Sequence, residues 1–199
     1  RLSTALVKTY GLPLNFQTIT LDNFAEILLR QEVTLRAFFN SSVAAGAAAL
    51  VLAALAVAIA QASGRGRLMS KVAVRGLETL GDVDYATPGI VLSFAFILTF
   101  IRPIPGLDVS LYNTLFLIGL AYLTAFLSIA LTPVSAAFGQ LDPLLGDAAR
   151  VAGAGYWRRF ALIFAPMVAP AAATGAILVF LTAYNEITVS ALLWSAGNE

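Results

Sequence analysis

Residues 141–166 read LDPLLGDAARVAGAGYWRRFALIFAP, the one long polar interruption between two strongly apolar segments in the second half of the chain. Asp142-Pro143 opens it, an N-cap carboxylate followed by proline at the first helical position, where the missing N–H is no loss because that donor has no intrahelical partner. The punctuation predicts a short helix over 143–152. Leu144, Leu145, Ala148, Val151 and Ala152 then fall on one face and Asp147 and Arg150 on the other, while Gly153 and Gly155 can supply the left-handed residue that ends the helix. A helix this short is marginal alone, so its apolar face calls for a partner surface.

The rest of the chain places that helix beside a membrane. Hydrophobic residues make up 59% of the sequence, charged residues only 12%, and the mean hydropathy is +0.86, against roughly 45 to 50% apolar in a typical soluble domain. A formal net charge of +1 argues against nucleic acid as a partner, because phosphate neutralisation needs clustered Lys and Arg. Cysteine and histidine are both absent, which removes disulfides, Cys or His zinc sites, thiolate nucleophiles and every triad built on imidazole. The chain has no initiator methionine and stops just after a polar turn, so we expect a piece of a longer protein, truncated before its last helix.

Four spans are predicted. Residues 1–39 form an extramembrane lead-in with cap chemistry at Thr20-Leu21-Asp22-Asn23 and a helix from about Phe24 to Phe39, whose Glu26, Arg30, Glu32 and Arg36 lie in water. The first span, about 41–60, carries no charge and is long enough to cross a hydrocarbon core of roughly 30 Å. Its alanines and Gly46 point to close helix neighbours. A second span, about 83–101, is expected to be kinked or broken at Pro88, and a third covers about 111–131, ending before Gly139. The fourth runs from about 160 to 182, and the chain after it is amphipathic and incomplete. Arg65, Arg67, Lys71 and Arg75 in the loop over 61–84, with Arg150, Arg158 and Arg159 in the opening stretch, put both loops in the cytoplasm and the lead-in outside.

With those positions in hand, Asp147-Ala148-Ala149, Gly153, Ile163 and Pro166 resemble the EAA loop of permease subunits in binding-protein-dependent ABC importers, with matching spacing throughout. Asp147 stands where glutamate is usual and Ala165 where leucine often precedes the proline. Asn40-Ser41, Pro88-Gly89-Ile90-Val91, Leu141-Asp142-Pro143 and Asn185-Glu186-Ile187-Thr188 are similar to the ferric-iron type of that family, in which two such modules are commonly fused. The resemblance implies an all-α polytopic membrane protein of the type I ABC importer permease fold with a short cytoplasmic coupling helix, resident in the bacterial inner membrane. It implies an ABC ATPase subunit inside, a periplasmic solute-binding protein outside, a second permease module, fused or separate, and membrane lipid around all of it. Under it, Asp147, Ala148, Ala149, Gly153, Ala154, Ile163 and Pro166 couple to the ATPase, and Pro88, Gly89, Asn185 and Glu186 are candidates to line the path.

Blander readings stand beside these. Pro88-Gly89 serves equally as a simple helix start, Glu186 as a solvated residue at a helix end, and Arg158 and Arg159 as orientation anchors. The chain has no G-x-x-x-x-G-K-[ST] sequence, so no cofactor is expected on it and ATP belongs to the partner subunit. Asp82 and Asp84 lie before an apolar run rather than in facing spans, which sets aside an intramembrane aspartyl protease. A proton-coupled carrier would need ionisable groups inside the spans, and the predicted spans hold almost none. The remaining alternatives are a permease for another solute, such as sulfate, thiamine or polyamine, and a membrane assembly subunit that docks a cytoplasmic partner without transporting.

Overall fold

Within lipid, a backbone N–H or C=O finds no water, so a chain this apolar satisfies its peptide groups inside helices. The computed structural model describes residues 5–7, 15, 18–64, 87–103 and 109–194, and these are helical but for turns and one antiparallel bridge between Val7 and Ile19. Two compact units emerge, Arg1–Ser42 and Val43–Asn198.

In the first unit, α1 (Asp22–Ala25) runs into a π turn, Glu26–Arg30, closed by the Gln31 N–H on the Glu26 carbonyl at 3.1 Å. The predicted cap chemistry comes from Thr20, since Leu21, the residue before α1, gives no side-chain cap. The Thr20 hydroxyl accepts instead from the Asp22 N–H at 3.1 Å, and the Asn23 amide donates to the Ala5 and Val7 carbonyls at 3.1 and 2.9 Å, tying the helix to the bridge. The helix expected over 24–39 is interrupted at Gln31, whose ψ of 107° is extended.

Helix α2 (Glu32–Gly64) then continues for 33 residues through the expected boundary at residue 40. Nothing between Glu32 and Ala45 breaks a helix, and the Ser42 hydroxyl donates back to the Phe38 carbonyl at 2.7 Å, so the backbone passes from lead-in to span without a stop.

In the second unit, α3 (Gly89–Phe100) has 12 residues, about 18 Å at 1.5 Å per residue, less than a bilayer core. Pro88 is a full stop rather than a kink, with ψ at 134°, and the part of the second span expected before residue 87 lies outside the described residues. So do Arg65, Arg67, Lys71 and Arg75 of the predicted inner loop.

The third span begins later and ends later than predicted, as α4 (Leu115–Ala125) and α5 (Leu127–Gln140), bent by 45°. The Thr114 hydroxyl caps α4 by accepting from the Leu117 N–H at 3.3 Å. The bend sits at Phe126, where ψ moves to 10°. Helix α5 continues through Pro133 to Gln140, past the stop expected before Gly139, since proline in an apolar bundle is tolerated where neighbours cover the freed carbonyl.

After α6 (Pro143–Val151), the fourth span α7 (Tyr156–Tyr184) has 29 residues and overruns its predicted ends on both sides. Its Phe160–Phe164 segment is a π turn, with the Ala165 N–H reaching back five residues to the Phe160 carbonyl. The wide turn suits Pro166, which has no N–H to give and whose ring crowds the preceding turn. Helix α8 (Thr188–Leu193) closes the described chain and packs against α3 and α4.

Helices α5 and α7 make the most extensive pairing among the described residues. Gly175 makes it possible: a Cβ there would stand 3.0 Å from the Ala130 carbonyl oxygen and 3.3 Å from its Cα. Four hydroxyls in the apolar helices are satisfied locally, Ser93 on Gly89, Thr99 on Ala95, Thr174 on Pro170 and Thr182 on Leu178, each donating to the carbonyl four residues back, whereas the buried Ser128 hydroxyl has no partner among the described residues. Leu50, Leu98, Phe116, Leu162 and Ile177 stay exposed, a surface suited to lipid.

Candidate functional site

Helix α6 forms as its punctuation predicts. The Asp142 carboxylate accepts from the Leu144 N–H at 2.8 Å. At the far end the Ala154 N–H reaches the Ala149 carbonyl at 2.9 Å and the Gly153 N–H the Arg150 carbonyl at 3.0 Å, a Schellman closure with Gly153 in the left-handed region at φ 77°. Asp142→Ala is expected to cost about 1 kcal/mol of stability, read as a lower melting temperature of the purified chain.

The apolar face is built but uncovered. Leu144 is 68% and Val151 91% exposed, with Ala148 open between them. Asp147 pairs with Arg150 at 3.2 Å, both side chains exposed, a contact worth little by itself. Ala149 and Ala154 are half-buried, Gly153 is exposed, Ile163 is half-buried and Pro166 exposed on α7. The motif residues therefore divide between the helix, its C-terminal closure and the first turns of α7.

What holds α6 lies on its opposite side. Gly146 is buried, and a Cβ on it would meet the Phe164 ring at 3.4 Å. Arg159 donates to the Gly146 carbonyl at 3.3 Å. Neither contact follows from the motif, though glycine in the middle of a nine-residue helix, costing about 1 kcal/mol against alanine, was a signal that a neighbour packs close there.

Two of the four candidate path residues meet. A Cβ on Gly89 would come within 3.3 Å of the Glu186 carboxylate and 3.4 Å of Val189. Glu186 is half-buried, and its carboxylate accepts from the Val189 N–H at 2.8 Å, holding the start of α8. The Ser190 hydroxyl donates to the Glu186 carbonyl at 2.7 Å, and the buried Tyr122 lies close to Ser190 and Glu186. Ser93, fully buried one turn into α3, donates to the Gly89 carbonyl at 2.8 Å. Pro88 and Asn185 are exposed instead, and the Asn185 amide donates to the Leu181 carbonyl at 2.7 Å as the close of α7. A groove of about 260 Å³ between α2 and α4 is lined by apolar groups such as Val43, Val51, Phe116 and Leu123 and offers no ligand to an ion.

A family described as the inner membrane component of binding-protein-dependent transport systems matches residues 54–197. Among curated proteins the chain is similar to the Fe(3+)-transport system permease protein FbpB 2 of Haemophilus influenzae, 29% identical over 161 residues. The match covers 81% of this chain and 30% of that relative, so the chain spans less than a third of the relative's length.

Proposed function

Because the chain belongs to the inner membrane components of binding-protein-dependent transport systems, a family of transport permeases and not of enzymes, we propose that it forms part of the path of an ATP-driven importer. Helix α6 is its coupling helix, docking in a cleft of a separate ATPase subunit on the cytoplasmic side, and a periplasmic solute-binding protein delivers cargo from outside. A second permease module, on the same chain or another, supplies the facing half of the path.

One observation carries the coupling role. The face of α6 with Leu144, Ala148 and Val151 points away from the protein while Gly146 is fixed behind it, and an apolar face held open in this way needs an occupant. Small Ala148 and Ala149 let that face sink into a cleft, and α7, beginning five residues after α6 ends, would carry the movement across the membrane. The name of the curated relative supports ferric iron as cargo. Gly89 and Glu186, brought together from two segments, line the path in this reading.

Ala148→Glu tests it, since the side chain is exposed and the chain itself should fold unchanged. Substrate-stimulated ATP hydrolysis by the reconstituted complex should drop several-fold as the ATPase loses its grip. Stimulation at the wild-type level would refute the coupling role. Intact ATPase binding with no uptake in the unaltered complex would favour an assembly subunit.

A further inference from the structure

The fourth span has a weak place close to its cytoplasmic end. Its π turn over Phe160–Phe164 bonds every fifth residue rather than every fourth, and Pro166 and Pro170 withhold two further N–H donors. A helix that received force below such a turn would bend there instead of passing the force on.

The contacts of Gly146 bridge that place. Arg159 is the residue just before the π turn and Phe164 the residue that ends it, and both close on the same glycine of α6. The Arg159 Nε is buried with no hydrogen-bond partner among the described residues, so the guanidinium is held in the joint against its own solvation. We infer that Arg159 and Phe164 form a two-point clamp on Gly146 that splints the π turn, so that α6 and α7 move as one rigid lever. Arg159 is thus a positioning residue for transport: it touches neither cargo nor nucleotide and acts by keeping the coupling helix on the span. A Cβ on Gly146 would meet Phe164 in ordinary contact at 3.4 Å, so a branched residue there would push the ring away and open one end of the splint.

The inference rests on the coupling role proposed above, and its test separates the two. In proteoliposomes holding the permease, its ATPase and its loaded binding protein, Arg159→Met should raise the ATP hydrolysed per solute carried at least about fivefold. Arg159→Lys, which keeps one donor in reach of the Gly146 carbonyl, should restore most of the ratio. Methionine also removes the unpartnered Nε, so the variant has no reason to unfold. Should it fail to fold, Gly146→Val reads the same ratio by displacing Phe164 while leaving the guanidinium bond. An unchanged ratio in Arg159→Met, or in Gly146→Val where that variant stands in, overturns the clamp. If Ala148→Glu impairs stimulation while those variants couple normally, the clamp falls and the docking role stands. If Ala148→Glu has no effect, the docking role falls, and the clamp with it.

Discussion

Gly175→Leu is expected to prevent stable folding, seen as loss of the monodisperse peak and of a cooperative melt in detergent. The site offers little give: the first added carbon would already stand 3.0 Å from the Ala130 carbonyl oxygen, so α5 must yield by a few tenths of an ångström for one carbon and far more for the three beyond it in leucine. Pro133 closes the same spot at 3.4 Å. Overpacking typically costs about 1 to 3 kcal/mol where side chains can move aside. Here leucine must separate α5 from α7, which removes their whole contact. Gly175→Ala sets the scale. It needs a shift of a few tenths of an ångström, and the strain is offset by the roughly 1 kcal/mol that alanine gains over glycine inside a helix. It should therefore melt within a few degrees of the parent. A leucine variant as stable as the parent would mean that α5 and α7 do not approach in this way.

Much of α6 could be read before its fold was known, because a cap, a proline at the first helical position and a left-handed glycine are local instructions. Asp142, Pro143 and Gly153 each act within a few residues, and the helix begins and ends within one residue of the predicted bounds. Apolar helices form in each of the four predicted stretches, though among the described residues only α2, α7 and the bent α4–α5 pair are long enough to cross a membrane. Their ends were not legible. Pro133 looks like a stop in water and is an interior residue of α5, while the stretch after Asn40 looks like the start of a span and is the middle of α2. The 45° bend at Phe126 has no proline or glycine to announce it. Contacts between distant segments, Gly89 with Glu186 and Gly175 with Ala130, were out of reach for a further reason. Helices apolar on every side carry no periodicity to mark the buried face, since lipid and protein neighbours select the same side chains.

Glu186 is where the two uses of a side chain can be pulled apart. Glu186→Gln is expected to leave the melting temperature within about a degree or two of the parent, because the amide oxygen can still accept from the Val189 N–H as the carboxylate does at 2.8 Å. Glu186→Ala, by contrast, strands that N–H and should cost about 1 to 3 kcal/mol. For transport the order reverses its emphasis, because glutamine removes the charge without disturbing the fold. A unit charge passing about 4 Å from a carboxylate at an effective dielectric near 20 gains about 4 kcal/mol. Losing even half of that in the rate-limiting step exceeds a tenfold loss in rate. Under the proposal that Glu186 lines the path of a cation, glutamine should thus cut uptake of ferric iron by tenfold or more in proteoliposomes, with ATPase binding intact. The sign of the change bears on the cargo as well. A carboxylate opposes an anion, so a permease for sulfate should carry faster as Glu186→Gln, and slower only if the carboxylate served the cargo. Uptake unchanged in glutamine and lowered in alanine in proportion to lost stability would reduce Glu186 to a cap on α8, with the path elsewhere.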